Sequence, residues 1–342
     1  MSIHTIRLAT HDGETLTFDC GEDETVVAAA ARANLTVPIL CGQGSCGTCR
    51  GTCGGGDYVL GEHNPGALST DDAKAGHVLL CRTFPRGPLD ITVPFEARAL
   101  AGAVQEREAE ITALDDLGGR TLRLALTLRP DADDSTAAQF EPGQFMELRI
   151  PGTDTTRAYS LSNTANWSGE LEFLIRLQPG GLFSGWLERE ARVGQVISLR
   201  GPQGTFGLRE NGLRPRWFVA GGTGLAPMLS MLRRMAEWGD PQPARLYFGV
   251  STEADLFGAV QIAEIQAALP GLQVIPCVWK PGPGWTGFAG SPVDALARDL
   301  PGAPTPDIYL CGPPALIDAA TAMATAHGVP VGNIMAERFL PS

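Results

Sequence analysis

No stretch of this 342-residue chain is apolar for long enough to cross a membrane as a helix. The longest apolar run near the N-terminus, VVAAAA at 26–31, falls far short of the roughly 20 residues a span needs. Positive charge is not in excess either. Lys+Arg 26 against Asp+Glu 38 leaves a net charge of −12, whereas a nucleic-acid partner calls for a concentrated basic face. Neither nucleic acid nor a membrane is therefore expected as a partner. No secretory leader is legible: MSIHTIRLATHDGETL carries one arginine and no apolar segment, which points to the cytoplasm. There is no internal repeat and no low-complexity tract. What is present is an ordinary globular composition, 44% hydrophobic and 19% charged, at a length that suggests two or three domains. Disulfides are not expected in a reducing compartment, so the eight cysteines need another reason. Five of them crowd between Cys41 and Cys81, which points to metal.

The texture of the chain changes twice. Residues 1–97 hold 6 basic and 12 acidic residues, and 98–342 hold 20 and 26, so the first segment is much the more acidic per residue. Within it, a hairpin is expected around Asp12-Gly13. A short helix follows over 24–33, with Asp23 as its N-cap and Val26, Val27 and Ala30 on one face. Then come a Gly- and Cys-rich loop and late apolar strands, an α+β order. Residues 98–106 read as a linker. From 107 to 209, RLALTLR, FMELRI, LEFLIRL and QVISLR are short strands between turn signals, the pattern of an antiparallel β-barrel. From 210 to 342, strands and helices alternate, as in a doubly wound α/β sheet.

Cys41, Cys46 and Cys49 follow the C-x4-C-x2-C spacing and Cys81 completes a set of four, the plant-type [2Fe–2S] arrangement. Gly42, Gly44 and Gly47 let backbone amides approach the sulfurs. A zinc site or buried structural cysteines are the alternatives; structural zinc usually takes two short-spaced couples, and the second is missing. Cys53 is read as a non-ligand, and Cys20, Cys277 and Cys311 as isolated from the metal.

Arg157-Ala158-Tyr159-Ser160 suits a flavin. The arginine faces a pyrophosphate, the tyrosine ring stacks on the isoalloxazine and the serine reaches its N5 edge. Gly181, Phe183 and Ser184 stand before a helix-like segment whose backbone N–H groups favour phosphate, or form a plain glycine turn with a serine cap. Phe339 either covers the other flavin face or packs as a core aromatic. Gly222-Thr223-Gly224 follows strand RWFVA and opens a helix, the context of a dinucleotide loop. Cys311-Gly312-Pro313 ends a later strand, where a nicotinamide fits. A nucleophilic Cys311 is the rival reading, and no histidine or acid partner is evident near it. After strand ARLYFGV no Arg or Lys occurs before Lys280, so NADH is expected rather than NADPH. Glu253 then takes a ribose hydroxyl, or is a solvated loop charge.

Together, VLLCRTFPRGPLDITVPF, FEPGQFMELRIPGTDTTRAYS, LEFLIRL, FVAGGTGLAPMLSM, PDIYLCGPP and ERFLPS resemble the ferredoxin–NADP reductase superfamily with a fused N-terminal ferredoxin. More narrowly, they resemble the reductase components of methane monooxygenase and related diiron hydrocarbon monooxygenases. The resemblance implies a multidomain chain: a β-grasp-like α+β ferredoxin domain, an FAD barrel and an NAD α/β domain. It implies Cys41, Cys46, Cys49 and Cys81 as cluster ligands. FAD would be held by Arg157, Tyr159 and Ser160 and by the backbone around Ile175, Arg176 and Leu177. NADH would be bound with help from Gly222, Thr223 and Gly224, with Cys311 and Glu337 beside the nicotinamide and flavin. The implied activity is electron transfer from NADH through FAD and the cluster to an external oxygenase. The chain itself is expected to be a monomer by default. Two departures stand out: Gly42 where relatives usually carry arginine, and Leu161-Ser162-Asn163 where relatives often have a proline. The reductase of a ring-hydroxylating dioxygenase shares this architecture. A stand-alone NADH reductase would need a further small-molecule pocket, and a redox sensor would not need the full cofactor apparatus.

Overall fold

The computed structural model describes residues 2–339 apart from 40, 41, 46, 98, 99, 101–103, 133 and 210–212. The chain divides into two compact units, 1–105 with 203–205, and 106–202 with 206–342.

The first unit is built on a mixed sheet in the order Thr15–Gly21, Ile3–Ala9, Leu89–Thr92, Arg50–Gly55, His77–Leu79. The hairpin about Gly13 pairs Ile3 with Gly21 through Ala9 with Thr15, and Leu89–Thr92 then joins Ile3–Ala9 in parallel. Alternation along Ile3–Ala9 turns Ile6 and Leu8 inward, both fully buried. The helix Val26–Arg32 lies in the same core through Val26, Ala29 and Ala30, giving a β-grasp-like domain. Two expectations are corrected here. The N-cap is Thr25, whose hydroxyl accepts the Ala28 N–H at 3.2 Å, and not Asp23. Such a cap is worth about 1 kcal/mol. Ala29 rather than Val27 completes the buried face, because i, i+3 and i+4 define it. Of the expected linker, Leu100 is fully buried in this unit's core and Gln105 begins a strand.

The second unit holds two layers of architecture. Residues 106–202 curl a six-stranded antiparallel sheet in the order Thr156–Ser160, Phe145–Arg149, Val196–Gln203, Gln105–Asp116, Thr121–Leu128, Glu170–Arg176. A bridge between Leu161 and Phe173 joins its two edges into a barrel around Ile111, Leu124, Leu148 and Phe173. The strand Gln105–Asp116 was not legible in the sequence. Only Ala109 and Ile111 of QEREAEITALDD are fully inward, and a bulge between Ile111 and Ala113 breaks the alternation.

The rest is a parallel sheet in the order Phe288–Ala289, Leu272–Val278, Ala244–Val250, Arg216–Gly221, Asp307–Gly312, Ile334–Arg338. Two separate apolar clusters cover its faces, one including helices Leu225–Glu237 and Ala259–Ala268, the other Pro292–Asp299 and Pro314–Ala326. Near-continuous apolar strands such as RWFVA are what a sheet buried on both faces requires. Strand order reverses at Arg216–Gly221, which leaves a crevice at its carboxyl end and that of Asp307–Gly312.

Candidate cofactor-binding sites

Cys41 and Cys46 lie outside the described residues. The other two expected ligands are close through the backbone. The Leu80 N–H donates to the Cys49 carbonyl at 3.0 Å, which holds the one-turn 3-10 helix Leu80–Arg82, and so Cys81, against the end of the cysteine loop. Both thiols are buried. Gly44 has a left-handed φ of +77°, and a Cβ there would come within 2.7 Å of Arg82 Cγ, so the loop needs glycine. Three of the four other thiols are engaged locally. Cys53 donates to the Gly55 carbonyl, Cys20 to the Glu24 carbonyl and Cys277 to the Ile275 carbonyl. Burial raises the proton affinity of all three. The donor set fits an iron–sulfur cluster on one further count: Arg82, whose stem lies under Gly44, has a buried Nε that lacks a hydrogen-bond partner. A partly desolvated cation there suits an anionic group.

On the barrel, Arg157, Tyr159 and Ser160 end the strand Thr156–Ser160. Arg157 spends one N–H on the Thr156 carbonyl and forms no ion pair among the described residues, so a half-buried guanidinium is left for an anion. Tyr159 packs on Phe183 with ring centroids 5.1 Å apart, and Phe183 in turn on Trp186. Burial pushes the Tyr159 phenol up and keeps it neutral. Ile175 is fully buried, and the Leu177 N–H donates to the Arg120 carbonyl. The Arg176 side chain is committed to Asp255 at 3.1 Å, so only its backbone remains for a ligand.

The helix expected at GWLERE begins earlier, at Leu182, with Gly181 as its N-cap. The serine-cap alternative is thereby corrected: Ser184 sits inside the first turn, and its Oγ accepts the Gln178 N–H at 2.9 Å. Phe183 is buried in the barrel core. What this segment offers a ligand is backbone N–H groups.

Gly222, Thr223 and Gly224 form a 3-10 turn between the central parallel strand and helix Leu225–Glu237. The glycines differ in purpose. Gly222 is left-handed, φ +55°, with open space where a side chain would go. Gly224 has an ordinary φ, but a Cβ there would lie 2.3 Å from the Cys311 carbonyl oxygen. Gly222 is thus free for close approach of a dinucleotide, while Gly224 lets the turn pack against the neighbouring strand. Glu253 follows strand Ala244–Val250, with its Oε1 accepting the Gly282 N–H at 3.1 Å. Gly312 and Pro313 lead from strand Asp307–Gly312 into helix Pro314–Ala326.

Three residues converge. Parallel pairing sets Cys311 opposite Glu337, and the Ser160 hydroxyl donates to Glu337 Oε2 at 3.2 Å. Burial pushes the Glu337 carboxyl up to about 7, against the opposing pull of Ser160. The Cys311 thiol is raised well above its ordinary range by burial and by Glu337, which leaves it protonated and speaks against the nucleophile reading. Phe339 is held by its N–H to the Gly312 carbonyl at 2.9 Å and is partly buried against the apolar cluster of Phe206 and Tyr309.

Sequence reasoning missed the groups that join the barrel to the nucleotide-binding layers. Glu172 accepts from Arg123 at 2.8 Å, from Arg233 at 2.9 Å and from the Ser162 hydroxyl at 2.9 Å. Arg233 also donates to the Ser162 carbonyl, and Ser230 to that of Asn163. No local pattern marks such long-range pairs; the one signal was Leu161-Ser162-Asn163 itself, a polar departure at a site expected to carry proline.

Three family models match in tandem: a 2Fe-2S iron-sulfur cluster binding domain over 9–86, an oxidoreductase FAD-binding domain over 111–207 and an oxidoreductase NAD-binding domain over 218–322. The chain is 39% identical over 300 residues, 87% of each protein, to methane monooxygenase component C of Methylosinus trichosporium. It is 36% identical over 342 residues, 99% of each, to the toluate 1,2-dioxygenase electron transfer component of Pseudomonas putida. Among solved structures, the Amycolatopsis cytochrome P450 reductase GcoB superposes with a TM-score of 0.79 at 29% identity, covering 98% of this chain and 99% of that one.

Proposed function

This chain belongs to the family of oxygenase reductase components that join a [2Fe–2S] domain to FAD- and NAD-binding oxidoreductase domains, and we propose that it is the NADH-dependent reductase of a diiron monooxygenase of the methane monooxygenase kind. When these groups are bound, NADH supplies a hydride, FAD accepts it, and the cluster passes electrons on singly to the oxygenase. We assign 1–97 to the ferredoxin domain, 107–209 to the FAD domain and 210–342 to the NAD domain.

The observation that carries the reading is the hydrogen bond from Ser160 to Glu337, with Cys311 paired beside it. It gathers residues of the flavin-binding barrel and the nicotinamide crevice into one group. Arg157 binds the flavin pyrophosphate, Tyr159 lies against the ring system and Ser160 orients its reactive edge. Gly222 admits the dinucleotide to the start of helix Leu225–Glu237. Cys311, uncharged and small, shapes the nicotinamide pocket, and Glu337, its carboxyl pushed up to about 7, takes up or gives up a proton near neutral pH. Glu253, steadied by Gly282, takes a ribose hydroxyl and repels a 2′-phosphate. Cys49 and Cys81, with Cys41 and Cys46, bind the cluster. The chain acts as a monomer in the cytoplasm, where its cysteines stay reduced.

The 36% identity to a dioxygenase electron transfer component supports a second reading, a Rieske-type oxygenase as partner. Reconstitution with one diiron hydroxylase and one ring-hydroxylating oxygenase separates the two. NADH-dependent turnover with the diiron enzyme, falling as salt rises, is expected from the acidic ferredoxin segment. Turnover with the ring-hydroxylating enzyme alone would select the second reading.

A further inference from the structure

Among the described residues of the first unit, Arg82 has a buried polar atom that the fold leaves without a partner. Its stem lies under Gly44 of the cysteine loop, where a Cβ would meet Arg82 Cγ at 2.7 Å and His63 Cβ at 2.9 Å. Its head lies against Gly61, where a Cβ would meet Nη2 at 3.1 Å and Nε at 3.2 Å. The Nε is buried without a hydrogen-bond partner, and no carboxylate pairs with Arg82 among the described residues. Removing a cation from water is costly unless an opposite charge offsets it. Arg82 directly follows Cys81, and the turn that carries both is tied to Cys49 by the bond from the Leu80 N–H.

We propose that Arg82 is a positioning residue that supplies a fixed counter-charge to the cysteine-bound cluster and so raises the cluster's reduction potential. The inference rests on the cluster assigned under the proposed function. Two ferric ions, two sulfides and four thiolates sum to a dianion. Reduction by one electron from the reduced flavin adds a third negative charge, with no bond made or broken. A nearby cation in a partly desolvated site stabilises the more negative state by more than the less negative one.

The test is an anaerobic redox titration of the full-length holoprotein, followed by EPR of the reduced cluster, for wild type, Arg82→Met and Arg82→Lys. Arg82→Met is expected to weaken cluster reduction about tenfold, which is about 59 mV more negative for one electron. Arg82→Lys should stay near wild type, and the flavin potential in the same titrations should not move. Iron content and visible circular dichroism verify that each variant is loaded. Arg82→Gln gives the same reading, should the methionine variant fail to hold iron. An unchanged potential in the neutral variants, or an equal shift in the lysine variant, overturns the inference while leaving the cluster in place. A wild-type protein that takes up no cluster overturns the inference and the proposed function together.

Discussion

Ser160 and Glu337, 177 residues apart in the sequence, share a hydrogen bond of 3.2 Å. Ser160 ends a barrel strand, and Glu337 lies on the edge strand of the parallel sheet. The bond therefore couples two architectures, at the point where the proposed flavin and nicotinamide sites adjoin.

Glu337 makes stability depend on pH. Its folded carboxyl stands at about 7 against an ordinary 4.5, so the fold favours the neutral acid. Its contribution is complete below about 4.5 and is lost as pH rises through about 7. Glu337→Gln should flatten the decline in Tm between pH 5 and pH 8. At about 1.4 kcal/mol per tenfold change in proton affinity, the variant gains up to about 3 kcal/mol at the alkaline end, and less to the extent that solvent reaches the site. Thermal melts of apo and FAD-loaded protein across that range measure it; parallel wild-type and variant curves would contradict it.

Gly224 is predicted to tolerate no side chain, because a Cβ would lie 2.3 Å from the Cys311 carbonyl oxygen. Gly224→Ala should cost about 1–3 kcal/mol through overpacking. By displacing the nicotinamide crevice by a fraction of an ångström to an ångström, it should slow NADH-dependent flavin reduction by up to about 10²-fold. Stopped-flow absorbance at the flavin band reads the rate, and urea unfolding reads the stability.

Glu172 anchors the barrel to helix Leu225–Glu237. Burial pushes its carboxyl up, and Arg233 and Arg123 more than offset this, so the folded group lies below its ordinary 4.5. The stabilisation is present above that value and is lost as pH falls below it. Glu172→Gln takes the carboxylate from Arg233 and Arg123, leaving Arg233 the Ser162 carbonyl and Arg123 its pairing with Asp115, and should cost about 1–3 kcal/mol at pH 7. The measurement is chemical denaturation followed by tryptophan fluorescence, and a difference that vanishes towards pH 3 checks the sign.

Much of this architecture was legible because its signals are local. The C-x4-C-x2-C loop, the R-x-Y-S strand and the glycine turn after RWFVA each announce themselves within a dozen residues. The strand Gln105–Asp116 was hidden because its charged half faces solvent and a bulge breaks its period. Helix capping by Thr25 instead of Asp23 depended on two residues of chain geometry. Glu172, Arg233 and Asp255 stayed silent because ion pairs between distant segments carry no sequence period. Arg82 stayed silent because its role lies in what surrounds it.

Glu253 is predicted to set the cofactor preference. Glu253→Arg should lower kcat/KM for NADH and raise it for NADPH, narrowing the ratio by about tenfold or more, since one repulsive contact becomes an attractive one. Steady-state reduction of ferricyanide with each nucleotide measures the ratio; an unchanged preference would return Glu253 to the role of a loop charge.

The central claim is that this one chain carries a complete relay from NADH through flavin to an iron–sulfur cluster. Anaerobic titration of the reconstituted protein with NADH, followed by visible absorbance and EPR, tests it most directly. The account predicts bleaching of the flavin band together with the rhombic signal of a reduced [2Fe–2S] cluster. Flavin bleaching with no cluster signal would contradict it, and would leave a stand-alone NADH reductase as the better description.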